Sequence, residues 1–281
     1  MVRSYFIGES ETKSLTRVNK RLYELFIDFR YITDIHSGVN KALLWSVYHG
    51  YEGPLRRLIR LGVDLNQEIR VTEDVQDKVP SDLTYPIIRN SRDKRSTSAL
   101  RMAAYNGDVV SLKLMLEAGA EIKVGIVGSN SSPLALTIEH NHTDAFHLLF
   151  DAMAEDLRHK HEGKLRMTPL HLASQHHRPN MIQAILKDGG DVTAKDRLGR
   201  APLACSIHSG GHFMCELDAA KDLVIHHRLN PPTTPVMVET IKVLLDAGAD
   251  PNGRASSFPR DIDLKNMKLT KPKHLTISEL F

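Results

Sequence analysis

Met167-Thr168-Pro169-Leu170-His171-Leu172-Ala173, with the stretch that runs on from it to Leu203, decides the fold. Thr168 is a residue type that caps helix N-termini, and Pro169 takes the first helical position, where its missing N–H costs nothing. Ala173 and Ser174 are small enough for another helix to approach. Met181, Ile182, Ile185 and Leu186 then recur at i, i+1, i+4 and i+5, which is the apolar stripe of a second helix. Gly189-Gly190-Asp191-Val192 ends that helix, with Gly189 suited to a left-handed helix end. Gly199-Arg200-Ala201-Pro202-Leu203 starts the pattern again. Pro169 to Pro202 is 33 residues, the period of a helix–turn–helix–hairpin unit.

Thr-Pro-Leu-His, the Gly-Gly-Asp-Val end and the 33-residue spacing together resemble the ankyrin repeat. The resemblance extends along the chain in two columns. A Pro-type column holds Ala42, Ala99, Pro133, Pro169 and Pro202, and a helix-ending column holds Gly62, Gly119, Met153, Gly189 and Gly248. The first four pairs are each 20 residues apart, while the fifth is 46 apart, so repeat five carries 26 extra residues between its helices. Repeats one and two are separated by 24 residues more than the shortest gap. The resemblance implies an all-α ankyrin-repeat solenoid of about five repeats with helical caps. A helical cap spans 1–38, and the array spans 39–252 with insertions near 67–95 and 212–237. A tail or cap follows over 253–281, where Leu275, Ile277, Leu280 and Phe281 are apolar enough to dock. Leu217 to Ile225 reads as a short helix within the second insertion. Trp45 shares a column with Met102, Leu136, Leu172 and Cys205 and is expected in the core. Met153 stands where a Gly is expected, so either a looser end or a longer helix is expected there, the longer one extending through Glu155 to His161.

Composition narrows the class. Of 281 residues, 41% are hydrophobic and 25% charged, which is ordinary for a folded soluble protein. A net charge of +3 does not by itself argue for nucleic acid. There are two cysteines, Cys205 and Cys215, a usage that fits a reducing, intracellular compartment, cytoplasmic or nuclear, rather than a disulfide framework. No apolar run of about 18 residues indicates a membrane span. Residues 1–30 are interrupted by Glu9, Glu11, Lys13 and Arg17 and lack the apolar core of a signal peptide.

Leu15, Val18, Leu22, Leu25 and Phe26 recur at helical spacing, as expected of a helix that covers the open end of the first repeat. The run Ser14 to Phe26 also resembles the second half of an F-box, a short helical module that docks an adaptor subunit of a cullin-type ubiquitin ligase. Tyr31-Ile32-Thr33-Asp34-Ile35, then Ala42-Leu43-Leu44-Trp45-Ser46, resembles the join between F-box and ankyrin array in a group of fungal proteins. The Leu-Pro-x-Glu helix that opens an F-box does not occur between Met1 and Ser14.

Catalytic spacing is missing. Gly125-Ile126-Val127-Gly128-Ser129 lacks the Gly-Lys-Ser/Thr ending of a phosphate loop, and there is no Gly-x-Ser-x-Gly elbow. No enzyme activity and no cofactor are expected. Cys205, His208, His212 and Cys215 read Cys-x2-His-x3-His-x2-Cys, all ligand types for zinc. Cys205 nevertheless falls in the buried column, His208 falls at an exposed helix position, and Gly210-Gly211 breaks the helix between the two halves, so no metal is expected.

A stacked array presents a continuous concave surface, and the expected function is a scaffold that binds another protein there. The alternative is a substrate receptor of a cullin-based ubiquitin ligase, with the N-terminal helices on the adaptor. No nucleic-acid or membrane partner is expected. The resemblance assigns variable surface positions to the ends of the first helices: Tyr48 and His49, Tyr105 and Asn106, Glu139 and His140, Gln175 and His176, and His208. Hairpin positions add Lys94 and Arg95, then Arg197 and Arg200. His171 is assigned a structural hydrogen bond within the Thr-Pro-Leu-His turn.

Overall fold

The computed structural model describes residues 20–38, 40–70, 96–123, 132–163, 165–208 and 235–251. Several expectations lie outside them: Leu15 and Val18, most of both insertions, the helix at Leu217 to Ile225, and the C-terminal cap. Twelve helices are described: α1 Lys20–His36, α2 Lys41–Tyr48, α3 Glu52–Arg60, α4 Ala99–Asn106, α5 Val109–Glu117, α6 Pro133–Glu139, α7 Thr143–Ala152, α8 Glu155–Arg158, α9 Pro169–Gln175, α10 Pro179–Lys187, α11 Pro202–His208 and α12 Pro235–Asp246. One short antiparallel ladder, β1 Ile69–Arg70 with β2 Ser96–Thr97, pairs Ile69 with Thr97 and Arg70 with Ser96. The described fold is therefore helical apart from two residues on each strand. Among the described residues no helix is long and apolar enough to cross a membrane.

The chain divides into two compact units, 1–122 and 123–281. In the first, α2 pairs with α3 and α4 with α5, while α2 packs on α4 and α3 on α5. The first insertion leaves and re-enters through the β1–β2 ladder, so the two helix pairs stack although 24 extra residues separate them in sequence. The Glu121 N–H also donates to Asn66 Oδ1 at 2.8 Å, joining the ends of the two pairs. Helix α1 packs on α2, and its Tyr31 is buried. Asp34 Oδ2 accepts the Ala42 N–H at 2.9 Å, so α1 supplies the cap that Asn40, at φ 47°, does not. Asp28 pairs with Arg57 of α3 at 2.5 Å.

In the second unit, α6 with α7, α9 with α10 and α11 with α12 form three pairs. First helices pack in one layer (α6, α9, α11) and second helices in another (α7, α10, α12). Local chemistry sets these boundaries. Ser98, Asp108, Ser132 and Thr168 each accept a backbone N–H from the first turn of the helix they precede, which supplies acceptors for donors with no helical partner. Second helices α3, α5, α10 and α12 end at Gly62, Gly119, Gly189 and Gly248, with φ between 80° and 94°, where any side chain is strained. At each, two N–H groups bond back into the helix; the Gly189 N–H reaches Leu186 O at 3.1 Å and the Gly190 N–H reaches Ile185 O at 2.9 Å.

Met153 breaks this rule, and of the two expected outcomes the longer helix is not what forms. Helix α7 stops at Ala152 and Met153 is extended, with φ −77° and ψ 146°. Helix α8 is therefore a separate short turn rather than a continuation. It folds back so that the Arg158 guanidinium lies 5.4 Å from the centre of the Phe150 ring. Arg158 also donates to Met153 O and to Asp188 Oδ1 of the following pair, at 3.2 and 2.7 Å. The stripe of α10 is narrower than its sequence suggests: Met181, Ile182 and Ile185 are buried, whereas Leu186 is half-buried.

Trp45 is buried, as its column requires. Hydroxyls within the first helices satisfy themselves: Ser46, Thr137, Ser174 and Ser206 donate to carbonyls three or four residues back at 2.7–2.8 Å. Burying them leaves no unpaired donor.

Candidate partner-binding surface

The Thr168–His171 turn fixes how one helix pair meets the next. The Thr168 N–H donates to His171 Nδ1 at 3.2 Å, and the His171 N–H reaches Thr168 Oγ1 at 3.4 Å. Nδ1 is thus an acceptor, which puts the ring proton on Nε2, and Nε2 lies 3.0 Å from Arg200 O. The imidazole is fully buried. Burial lowers its pKa against the opposing pull of the Arg200 carbonyl, and the neutral ring is the form that these bonds need.

In the first unit, α2 ends in a ring cluster. Trp45 lies 5.0 Å from both His49 and Tyr51, and His49 lies 5.1 Å from Tyr48 and 5.6 Å from Tyr51, measured between ring centres. His49 is exposed, and Tyr48 and Tyr51 are half-buried. On the neighbouring α4, Tyr105 is half-buried above the buried Ala103 and Ala104. Asn106 has a structural duty, since its amide donates to Tyr48 O at 2.9 Å and ties the two helix ends together. Lys94 and Arg95 lie outside the described residues.

In the second unit, Glu139, Gln175 and His176 are half-buried and His140 is exposed. His140 stacks on His142 with ring centres 6.1 Å apart. Arg178 reaches across to the end of α6, with Nε donating to Ile138 O at 3.1 Å and Nη2 to Glu139 O at 3.0 Å. Burial first, then Arg178, His140 and His177, lower His176 to about 4. Burial, with His142 and Arg178 behind it, lowers His140 too, and burial and Arg178 lower His177. The repeat columns mark His140 and His176 in the sequence but not His142, His177 and Arg178. The signal for them was present: His142 and Arg178 share the column of Tyr51 and Asp108 at the starts of the second helices.

Arg200 is a correction. It is 5% exposed and turns inward to Asp196, with Nε and Nη2 each 2.7 Å from Oδ2. Asp196 Oδ1 also accepts the N–H groups of Leu198 and Arg200 at 2.8 Å. The guanidinium is used inside the hairpin and is not available to a partner. Arg197 beside it remains exposed.

The zinc-type constellation is described only at its first member and at the backbone of His208. Cys205 is 2% exposed, packed with Leu165, Met167, Leu172 and Leu198, and burial pushes its thiol up to about 12. The side chain of His208, with His212 and Cys215, lies outside the described residues. Among the described residues no group of three or more His, Cys, Asp or Glu side chains is placed to hold a metal ion.

Residues 166–197 match the family model described as "Ankyrin repeat". The chain is 28% identical over 147 residues to the transient receptor potential cation channel subfamily A member 1 of Drosophila melanogaster, covering 48% of this chain and 12% of that protein. It is 30% identical over 91 residues to the neurogenic locus notch homolog protein 4 of Homo sapiens, covering 30% of this chain and 4% of that protein. The chain thus spans a small fraction of either relative. The family match places one ankyrin repeat at residues 166–197, the stretch that holds α9 and α10.

Proposed function

We propose that this chain is a non-catalytic, intracellular scaffold, an ankyrin solenoid of five repeats that holds another protein on a concave surface of first-helix ends and hairpin tips. One observation carries the reading. The first helices bury most of their interior positions, yet at their ends Tyr48, His49 and Tyr105 in the first unit, and His140 and His176 in the second, stay exposed or half-buried. Aromatic side chains in such a row are the residues that dominate interface energetics. Tyr48→Ala with Tyr105→Ala should leave the thermal melt nearly intact and weaken the principal partner by about 2 kcal/mol or more. The experiment is affinity capture on the immobilised chain, identification of the principal partner by mass spectrometry, and titration of that partner against both proteins. Full affinity with a normal melt would move the surface elsewhere, and a collapsed melt would place the tyrosines in the core.

A ligase-receptor role is the second reading, and one observation favours it. Helix α1 leaves Phe29 65% and Ile32 37% exposed, one helical turn apart on the same face. Co-elution of the chain with a cullin adaptor subunit, abolished by Phe29→Glu with Ile32→Glu, is the expected result. Absence of co-elution removes the role.

A further inference from the structure

We propose that the turns after α2 and α4 form a docking site for an arginine side chain of the partner protein, with the rings of Tyr48, His49 and Tyr51 as its platform and the Asp108 carboxylate as its counter-charge. The proposal rests on the protein-binding reading and adds the chemistry of the partner.

Asp108 supplies the charge. Its Oδ1 caps α5 by accepting the Ser111 N–H at 3.1 Å. Its Oδ2 is shut off from solvent and finds no hydrogen-bond partner among the described residues, a cost that a donor brought by a partner removes. That oxygen faces the turn after α2. A Cβ built on Gly50 would stand 3.6 Å from it, and no other atom beyond the flanking residues lies within 4 Å of that Cβ. Gly50, at φ 66°, sits in a backbone region that favours glycine, so the space beside Oδ2 stays free of a side chain from this turn.

The rings supply the platform. Tyr48, His49 and Tyr51 meet ring to ring at the end of α2, with His49 exposed and both tyrosines half-buried. The bond from the Asn106 amide to Tyr48 O holds the end of α4 against this cluster, and Asp108 follows two residues later. A guanidinium stacks on aromatic faces while its N–H groups bond a carboxylate, whereas an ammonium has no plane to stack. The C-terminal end of α2 adds partial negative charge. Charge complementarity points the same way. Trp45 to Leu55 and Tyr105 to Leu112 contain Glu52 and Asp108 but no Lys or Arg. Arg56, the cation that follows, is paired with Glu52 at 2.6 Å. In the second unit the residue that precedes α10, in the place of Asp108, is Arg178, so this chemistry belongs to the first unit.

The probe is a fluorescein-labelled peptide of alternating Gly and Arg, titrated by anisotropy against the full chain at about 0.15 M ionic strength. The same peptide with Lys for Arg is the comparison. The arginine peptide should bind, and the lysine peptide should bind at least ~3-fold more weakly. Asp108→Asn keeps a capping oxygen on α5, so the melt should hold while affinity for the arginine peptide falls at least ~10-fold. Glu121→Gln, which removes an exposed carboxylate of the same unit, should change that affinity less than ~2-fold. If Asp108→Asn lowers the melt, His49→Ala, at an exposed position, gives the readout, with a loss of at least ~2-fold. No binding of the arginine peptide, equal binding of the two peptides, or an equal loss in Asp108→Asn and Glu121→Gln would overturn the proposal; the last outcome would mean whole-protein charge. Failure here, with the tyrosine pair still weakening the partner, removes the arginine and leaves the scaffold reading standing.

Discussion

Arg200 shows how one side chain changes role between sequence and structure. Its position at a hairpin tip marks it as a groove residue, but the Asp196 carboxylate takes both its Nε and Nη2. Side-chain exposure is 6% for Arg200 and 0% for Asp196, so removing one partner strands a charge. Arg200→Ala should therefore destabilise the protein by about 3–5 kcal/mol, read as a shift of the urea midpoint, because the buried carboxylate loses its counter-ion. Replacing both residues with Leu should cost less than Arg200→Ala alone. A midpoint unchanged by Arg200→Ala would return the residue to the surface.

Among the second helices, the four that end in Gly repeat one arrangement. The position four residues before the Gly is buried at Leu58, Met115, Ile185 and Leu244, and the next position is half-buried at Ile59, Leu116, Leu186 and Leu245. Helix α7 departs because Met153 sends the chain out extended and α8 covers Phe150. Gly190 belongs to the same geometry, since a Cβ there would stand 2.7 Å from Ile185 Cγ2 and 2.9 Å from Ile185 O. Ile185→Ala is expected to cost about 2–5 kcal/mol, the range for a large side chain removed from a closed core. Leu186→Ala is expected to cost less, about 1 kcal/mol, because Leu186 is only partly buried. Parallel urea titrations distinguish them, and equal shifts would mean that the helix face is misassigned. Each pair is buried only by its neighbours, so the loss at Ile185 should also lower the cooperativity of α6–α7 and α11–α12.

Across the whole molecule, protons act on stability with two opposing signs. His140, His171, His176 and His177 all titrate below the ordinary imidazole value of 6.5. Between that value and their folded values the unfolded chain binds protons that the folded chain refuses. Their contribution is complete above about pH 6.5 and is lost as pH falls, for His176 down to about 4. Glu162 does the reverse. Its folded value of about 7 exceeds its ordinary 4.5, so its contribution is present below 4.5 and lost as pH rises to about 7. Glu162→Gln should therefore stabilise the protein more at pH 8 than at pH 5, by roughly 3 kcal/mol. Urea midpoints of both proteins across that interval test it, and a difference independent of pH would show that Glu162 ionises normally.

The sequence by itself determined the helix pairs and where they start and stop. Pro133, Pro169 and Pro202 do open α6, α9 and α11, and four of the five helix-ending positions adopt the left-handed backbone that Gly allows. Capping, proline placement and 3.6-residue periodicity act within one or two turns, so they are readable without knowing the neighbours. The outcome at the candidate surface was legible only in part. Tyr48, His140 and His176 are placed at helix ends by their columns, but the sequence did not show that Arg178 would reach back to Ile138 or that Asn106 would bind Tyr48. Those bonds join residues 40 and 58 positions apart. Tertiary structure alone decided the inward turn of Arg200, the covering of Phe150, the closure of the first insertion and the raised carboxyl of Glu162. In each case burial and hydrogen-bond partners come from packed segments or side-chain directions that local periodicity does not encode.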